Sequence, residues 1–208
     1  MRKEEAELRR AIGVVFLLLG FFFLFHSKLE KLFLDHHQEE LIEAFESLGS
    51  TSASGQAILA SEVQISDREG KLSLLDGARG ILRIPEIDFE MVIFDGASED
   101  VLGKGIGMIE PHKEIGINNV GLAGHRSTTF GKQFNRLDEL EHHDILEVKT
   151  EEATYEFEVV KTFIVDRTEV EVLEDANAPL LPLVTCTPAG VKDPTDRLIV
   201  QAKLITER

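Results

Sequence analysis

The feature that most restricts the fold is a change of hydrophobic period near Ile81. From there on apolar residues recur at every second position. Ile87, Phe89, Met91 and Ile93 alternate with Asp88, Glu90 and Val92; Tyr155, Phe157 and Val159 alternate with Glu156 and Glu158; Leu198, Val200, Ala202 and Leu204 alternate with Ile199, Gln201 and Lys203. A strand sends successive side chains to opposite faces, so this period predicts strands with one buried face. Further strand-like runs are Asn119 to Ala123, Ile145 to Val148, Phe163 to Val165 and Leu183 to Cys186. Turn signals such as Asp95-Gly96 and Pro188-Ala189-Gly190 separate some of them. One helical patch intrudes, with Phe134, Leu137 and Leu140 on one face. So many short strands in so few residues predict a β-barrel or β-sandwich.

The first 78 residues follow other rules. Ala11 to Phe25 reads AIGVVFLLLGFFFLF and contains no charge. A membrane span needs about 20 apolar residues, and the flanking Arg9, Arg10 and Lys28 can extend this one by snorkelling. Arg2, Lys3, Arg9 and Arg10 precede the run, which predicts a cytoplasmic N-terminus and an exported remainder. His26-Ser27-Lys28-Leu29-Glu30 follows without a small-x-small cleavage pattern, so a single-pass, uncleaved signal anchor is expected rather than a signal peptide. Leu29, Leu32, Phe33, Leu41, Phe45 and Leu48 then fall near helical spacing, as in a juxtamembrane spacer helix, and Gly49 to Gln56 reads as a Ser/Gly/Thr linker. The expected division is a cytoplasmic tail over 1–10, an anchor over 11–27, a juxtamembrane helix and linker over 28–78, and a strand-rich domain over 79–208.

Charge and cysteine content narrow the function. The formal net charge is −16 and is spread along the chain, so it predicts a well-solvated surface and excludes nucleic acid as a partner. There is one Cys, which rules out an internal disulfide. A lone Cys is commonly a small buried hydrophobe; its neighbours decide otherwise here. Leu183-Val184-Thr185-Cys186-Thr187-Pro188 puts Cys186 at a strand end, before a proline that stops the ladder. Gly121-Leu122-Ala123-Gly124-His125-Arg126 puts His125 where an apolar strand turns polar, and Asp196-Arg197-Leu198-Ile199-Val200 opens the last strand. Arg197 is in phase with Ile199 and Gln201, so it points outward if Leu198, Val200 and Ala202 fill the barrel. A thiol, an imidazole and a guanidinium supply a nucleophile, an acid/base and an oxyanion stabiliser. On spacing alone, His125 fits a surface histidine and Arg197 a surface ion pair equally well.

LAGHRS, LVTCTP and DRLIV resemble the three signatures of the sortases, in the same order and at similar separations. RIPEIDFEMVIFDG and FGKQFNRLDELEHHDILEV resemble the opening strands and the short helix with its following strand in that family. The resemblance runs from about Gly80 to Lys203. It implies a mostly β fold, a closed eight-stranded sortase-type barrel with short helices, preceded here by an N-terminal transmembrane helix. It also implies a cysteine transpeptidase at the cell membrane, with its catalytic domain outside the cytoplasm. Cys186 would attack the Thr–Gly bond of an LPXTG-like sorting signal, and an amine of a cell-wall peptide precursor would resolve the thioacyl intermediate. His125 would be the acid/base and Arg197 would hold substrate and oxyanion. Thr185 and Ala123 would border the substrate, and Val170, Val172 and Leu173, with Ala176 and Ala178, would line an apolar floor for its Leu-Pro. The alternatives are a membrane-anchored cysteine peptidase with water as acceptor and a non-catalytic binding module.

The sequence departs from the family pattern at Pro182, where a Thr commonly stands, and at Glu141-His142-His143-Asp144, where the polar turn commonly holds Gly. Adjacent histidines on a strand or helix point different ways, so His142 and His143 read as surface residues and no metal site is expected. Some sortases bind calcium through acids ahead of the His segment and in the groove loop; Glu110, Glu114, Glu171 and Glu174 stand there. No other cofactor is expected. The lack of an Asp-Pro-aromatic lid motif and of a second span resembles single-pass wall-attaching types, housekeeping or class D.

Overall fold

The computed structural model describes residues 38–47, 73–128 and 133–208, with Gly13 and Gly20. The tail at 1–10, most of the expected anchor at 11–27 and the linker at 49–56 lie outside the described residues. Among the described residues no helix is long and apolar enough to cross a membrane. The chain divides into two compact units, Met1–Glu39 and Glu40–Arg208. Gly13 and Gly20, in the first, are helical; the second holds every strand among the described residues.

A helix over 38–47 (α1) precedes eight strands: β1 (Ala78–Ile84), β2 (Phe89–Asp95), β3 (Ile106–Met108), β4 (Leu122–Ala123), β5 (Ile145–Lys149), β6 (Thr154–Asp166), β7 (Leu180–Thr187) and β8 (Asp196–Glu207). A short helix, α2 (Glu99–Lys104), joins β2 to β3, and short 3-10 segments occupy Pro85–Ile87, Phe134–Glu139 and Val170–Leu173. The strands close into a barrel in the order β1-β2-β3-β4-β7-β8-β6-β5. β1 pairs antiparallel with both β2 and β5, while the β2/β3 and β4/β7 pairs are parallel.

The alternation in the sequence fills this barrel. Phe89, Met91, Ile93, Phe157, Val159, Leu198, Val200 and Ala202 all lie in one buried cluster. Phe134, the first residue of the 3-10 patch, is fully buried beneath it and stacks obliquely on Phe89 with ring centroids 5.3 Å apart. The strand reading of Asn119 to Ala123 shortens to Leu122–Ala123, and Phe163 to Val165 becomes the far end of the 13-residue β6.

The outward face of β1 and β2 is also apolar, with Ile81, Val92 and Phe94 buried. α1 covers them with Leu41, Ala44 and Phe45, and Leu75 completes the patch. Arg83 locks the lid electrostatically. Its guanidinium reaches Glu90 at 2.5 Å, Glu46 of α1 at 3.0 Å and Glu147 at 3.3 Å. Lys149 reaches the same Glu46 at 2.8 Å, and Lys149 and Arg83 together hold the Glu46 carboxyl below its ordinary range. The described part of the expected spacer helix is therefore an outer layer of the barrel unit.

Phe45 is 5% exposed, and emptying such a site costs about 3 kcal/mol. Phe45→Ala is expected to lower the urea unfolding free energy by that order. An unchanged midpoint and slope would show that α1 does not dock.

Candidate active site

β7 alternates strictly at its end: Thr185 and Thr187 face the interior, while Val184 and Cys186 face outward. β8 answers in register, with Cys186 opposite Arg197 and Val184 opposite Ile199. On the other side β4 runs parallel to β7, with Leu122 opposite Leu183 and Ala123 opposite Val184. The Gly124 amide donates to the Val184 carbonyl at 3.1 Å. β4 ends at Ala123, so this bond places His125 just beyond the ladder with β7. The pairings thus set Cys186 beside Arg197 on one outer face, and His125 follows two residues past the last paired residue of β4.

Two side-chain bonds beneath that face fix the alignment. Thr185 Oγ1 donates to the Gly124 carbonyl at 2.8 Å. Arg126 Nη1 donates to Thr187 Oγ1 at 2.9 Å, and its Nη2 pairs with Asp138 at 3.0 Å. The residues flanking Cys186 are thus bonded to the residues flanking His125. Thr185 is 2% exposed with its hydroxyl committed to Gly124, so its side chain lies under the face that carries Cys186 and ties β7 to the segment that carries His125. Gly124 is needed for close approach: a Cβ there would lie 2.6 Å from the Phe134 ring.

Each outward group has a distinct setting. Cys186 is free and half-buried. Arg197 Nη1 donates to the carbonyls of Pro194 at 2.7 Å and Asp196 at 3.0 Å, which anchors the guanidinium by one nitrogen and leaves three further N–H groups. His125 Nε2 lies 3.5 Å from Glu99 Oε2, at the first turn of α2. Such an arrangement can place a nucleophile, a proton carrier and an anion-binding fork on one reacting centre.

The loop between β6 and β7 borders this face. Leu173 leans on β4, where a Cβ at Gly121 would come within 2.4 Å of its Cδ2. Val172 is half-buried, but Val170 is 61% exposed. Val170 thus makes little contact with the barrel, and Ala123 and Val184 are partly exposed apolar residues at the end of β4 and within β7. Sequence reasoning missed what pins the loop. Lys113 Nζ donates to the Leu173 carbonyl at 2.6 Å, pairs with Glu110 at 2.7 Å and lies 3.7 Å from Asp175. Asn119 Nδ2 donates to the carbonyls of Val172 at 3.0 Å and Glu174 at 2.6 Å, and its amide donates to Asp175 at 2.9 Å. That amide, with Lys113 and Asn118 behind it, holds the Asp175 carboxyl below the ordinary range. Its contribution is full above the ordinary Asp value of about 3.9 and is lost as pH falls through the lowered one.

A cavity of about 590 Å³ lies elsewhere, among Ala78, Met108, Ile115, Thr150 and Tyr155. Burial, then Glu207, Glu152 and Glu114, push the Tyr155 phenol up. Neither Cys186 nor Arg197 lines it.

Comparisons with known proteins bear on the family and the fold. Residues 82–205 match the family model described as a sortase domain. Sortase D of Bacillus subtilis (strain 168) is 35% identical over 133 residues, 62% of this chain and 65% of that protein. Sortase A of Bacillus anthracis is 28% identical over 126 residues, 61% of this chain and 59% of that protein. The chain thus spans less than two thirds of the length of these curated relatives. The crystal structure of sortase A from Listeria monocytogenes superposes with a TM-score of 0.60 at 24% identity, over 64% of this chain and 90% of that one, and shows the same fold.

A hydrogen bond to a charged group contributes about 1.5–3 kcal/mol, so Lys113→Ala is expected to raise hydrogen exchange of amides 172–175 about tenfold or more while β8 keeps its protection. Equal exchange in both proteins would remove Lys113 as the loop's anchor.

Proposed function

The chain belongs to the sortase family, and on that premise we propose that it is a cysteine transpeptidase for an LPXTG-like C-terminal sorting signal. The observation that carries the proposal is the pairing of Cys186 with Arg197 across β7 and β8, with His125 just past the end of β4 on the other side of β7. The Cys186 thiolate attacks the carbonyl carbon of the Thr–Gly bond, and Arg197 N–H groups meet the oxyanion that forms. His125 gives its proton to the departing glycine amine, leaving a thioester on Cys186. An amine of a cell-wall peptide precursor then attacks the thioester and loses a proton to His125, and the thiolate leaves. Ala123, Val184 and Leu173 offer the apolar contacts beside the thiol. The uncharged run at Ala11–Phe25, with basic residues ahead of it, supports an N-terminal anchor and a barrel outside the cytoplasmic membrane.

Mass spectrometry of the chain incubated with a sorting-signal peptide is expected to find a thioacyl adduct on Cys186. Cys186→Ala abolishes both adduct and product, and an added amine speeds turnover. Product formation by Cys186→Ala would sink the mechanism, and insensitivity to amine would make the enzyme a peptidase. Arg197→Lys, which keeps the charge and loses the planar fork, is expected to lower kcat/KM on the order of 10²-fold.

Lys113 already brings a cation to Glu110 and Asp175. Activity is accordingly expected to stay flat across a calcium titration; a calcium-dependent rise would mean that other acids of the loop bind the ion.

A further inference from the structure

The turn ahead of β5 carries a second set of donor atoms. His142, His143 and Glu158 bring imidazole nitrogens and a carboxylate oxygen within 4.8 Å of one another. His143 Nδ1 already shares a 2.5 Å hydrogen bond with Glu158 Oε1, and the two imidazole rings meet edge to face with centroids 4.0 Å apart. Neighbours on a strand or helix would diverge. These converge because His143 sits at φ 80°, a left-handed backbone uncommon for a residue with a Cβ.

The surrounding backbone fixes the set in place. The His143 amide donates to the Val159 carbonyl at 3.0 Å, and the Val159 amide donates to the Asp144 carbonyl at 2.9 Å. Asp144 Oδ2 closes the turn by accepting from the Glu141 amide at 2.7 Å. Glu158 is therefore held one residue from the two bonds that seat the turn. On β8 its partner is Lys203, about 20 Å along the strand from Arg197, so this set is separate from the catalytic face.

We propose that His142, His143 and Glu158 form a binding site for a divalent transition metal of zinc type. Two imidazoles and one carboxylate match the preferences of zinc, nickel or copper rather than those of magnesium or calcium. Three protein donors leave at least one position for water. A tetrahedral ion with bonds near 2.1 Å spaces its donors about 3.4 Å apart. The His143–Glu158 contact opens by about 1 Å to admit it, and the wider separations close; His142 and His143 are exposed and Glu158 only half-buried. The ion takes the place of the proton between His143 Nδ1 and Glu158, and that proton moves to Nε2. Lys203 opposes a cation here, whereas Glu141 and Asp144 of the same turn favour one. A bound ion would tie the start of β5 to β6.

The test uses the full chain in detergent, without a polyhistidine tag and with Cys186→Ala so that the thiol binds nothing. Zinc is titrated against a chromophoric chelator, and thermal unfolding is followed with and without the ion. One equivalent is expected to bind and to raise the midpoint. His142→Ala and Glu158→Gln each weaken binding by about tenfold or more. His143→Gly abolishes it while the midpoint of the metal-free protein holds or rises, because glycine adopts φ 80° without strain. Absence of binding by the parent chain overturns the site. Binding of equal affinity in the His143→Gly chain overturns it as well, because the ion then sits elsewhere.

Discussion

Thr185 and Arg126 carry the constraint on which the site depends. β4 contributes only Leu122 and Ala123 to its ladder with β7, too short a pairing to position His125, which lies beyond its end. The Thr185 hydroxyl and the Arg126 guanidinium extend the junction by side-chain bonds to Gly124 and Thr187. Both bonds lie below the surface, where an unmade partner is costly. Outward, the same residues alternate into Cys186 and its neighbours. The reactive face is thus set by polar contacts on the opposite side of the strands.

An acidic chain uses its cations at junctions. Lys113 ties the β3–β4 connection to the loop that borders Cys186. Arg83 gathers carboxylates from β2, β5 and α1, and Lys149 shares one of them. Exposed ion pairs contribute little singly; these are partly buried hubs with several partners, and each links elements distant in sequence.

The barrel was legible because its inward positions are apolar and its outward ones mostly are not. Val92 breaks that rule: it falls in the outward phase between Met91 and Ile93, and α1 covers it. The pairing of Cys186 with Arg197 was legible because strand ends project outward and because the motifs kept their order. Adjacency alone did not show where Thr185 points: it stands next to Cys186, yet strand phase turns its side chain inward. The exposure of Val170 was not legible, because an apolar residue in a 3-10 turn has no face fixed by the sequence pattern. Lys113 and Asn119 escaped notice because their partners in the β6–β7 loop lie more than 50 residues away. The convergence of His142 and His143 depends on one left-handed residue, which side-chain type does not announce.

Thr185→Val is nearly isosteric and removes only the hydroxyl, so the kcat of transpeptidation by this variant is the most direct probe of the junction. A fall in kcat of about tenfold or more, with KM little changed, is expected if the Thr185–Gly124 bond sets His125 against Cys186. Wild-type kcat in a folded Thr185→Val chain would contradict it.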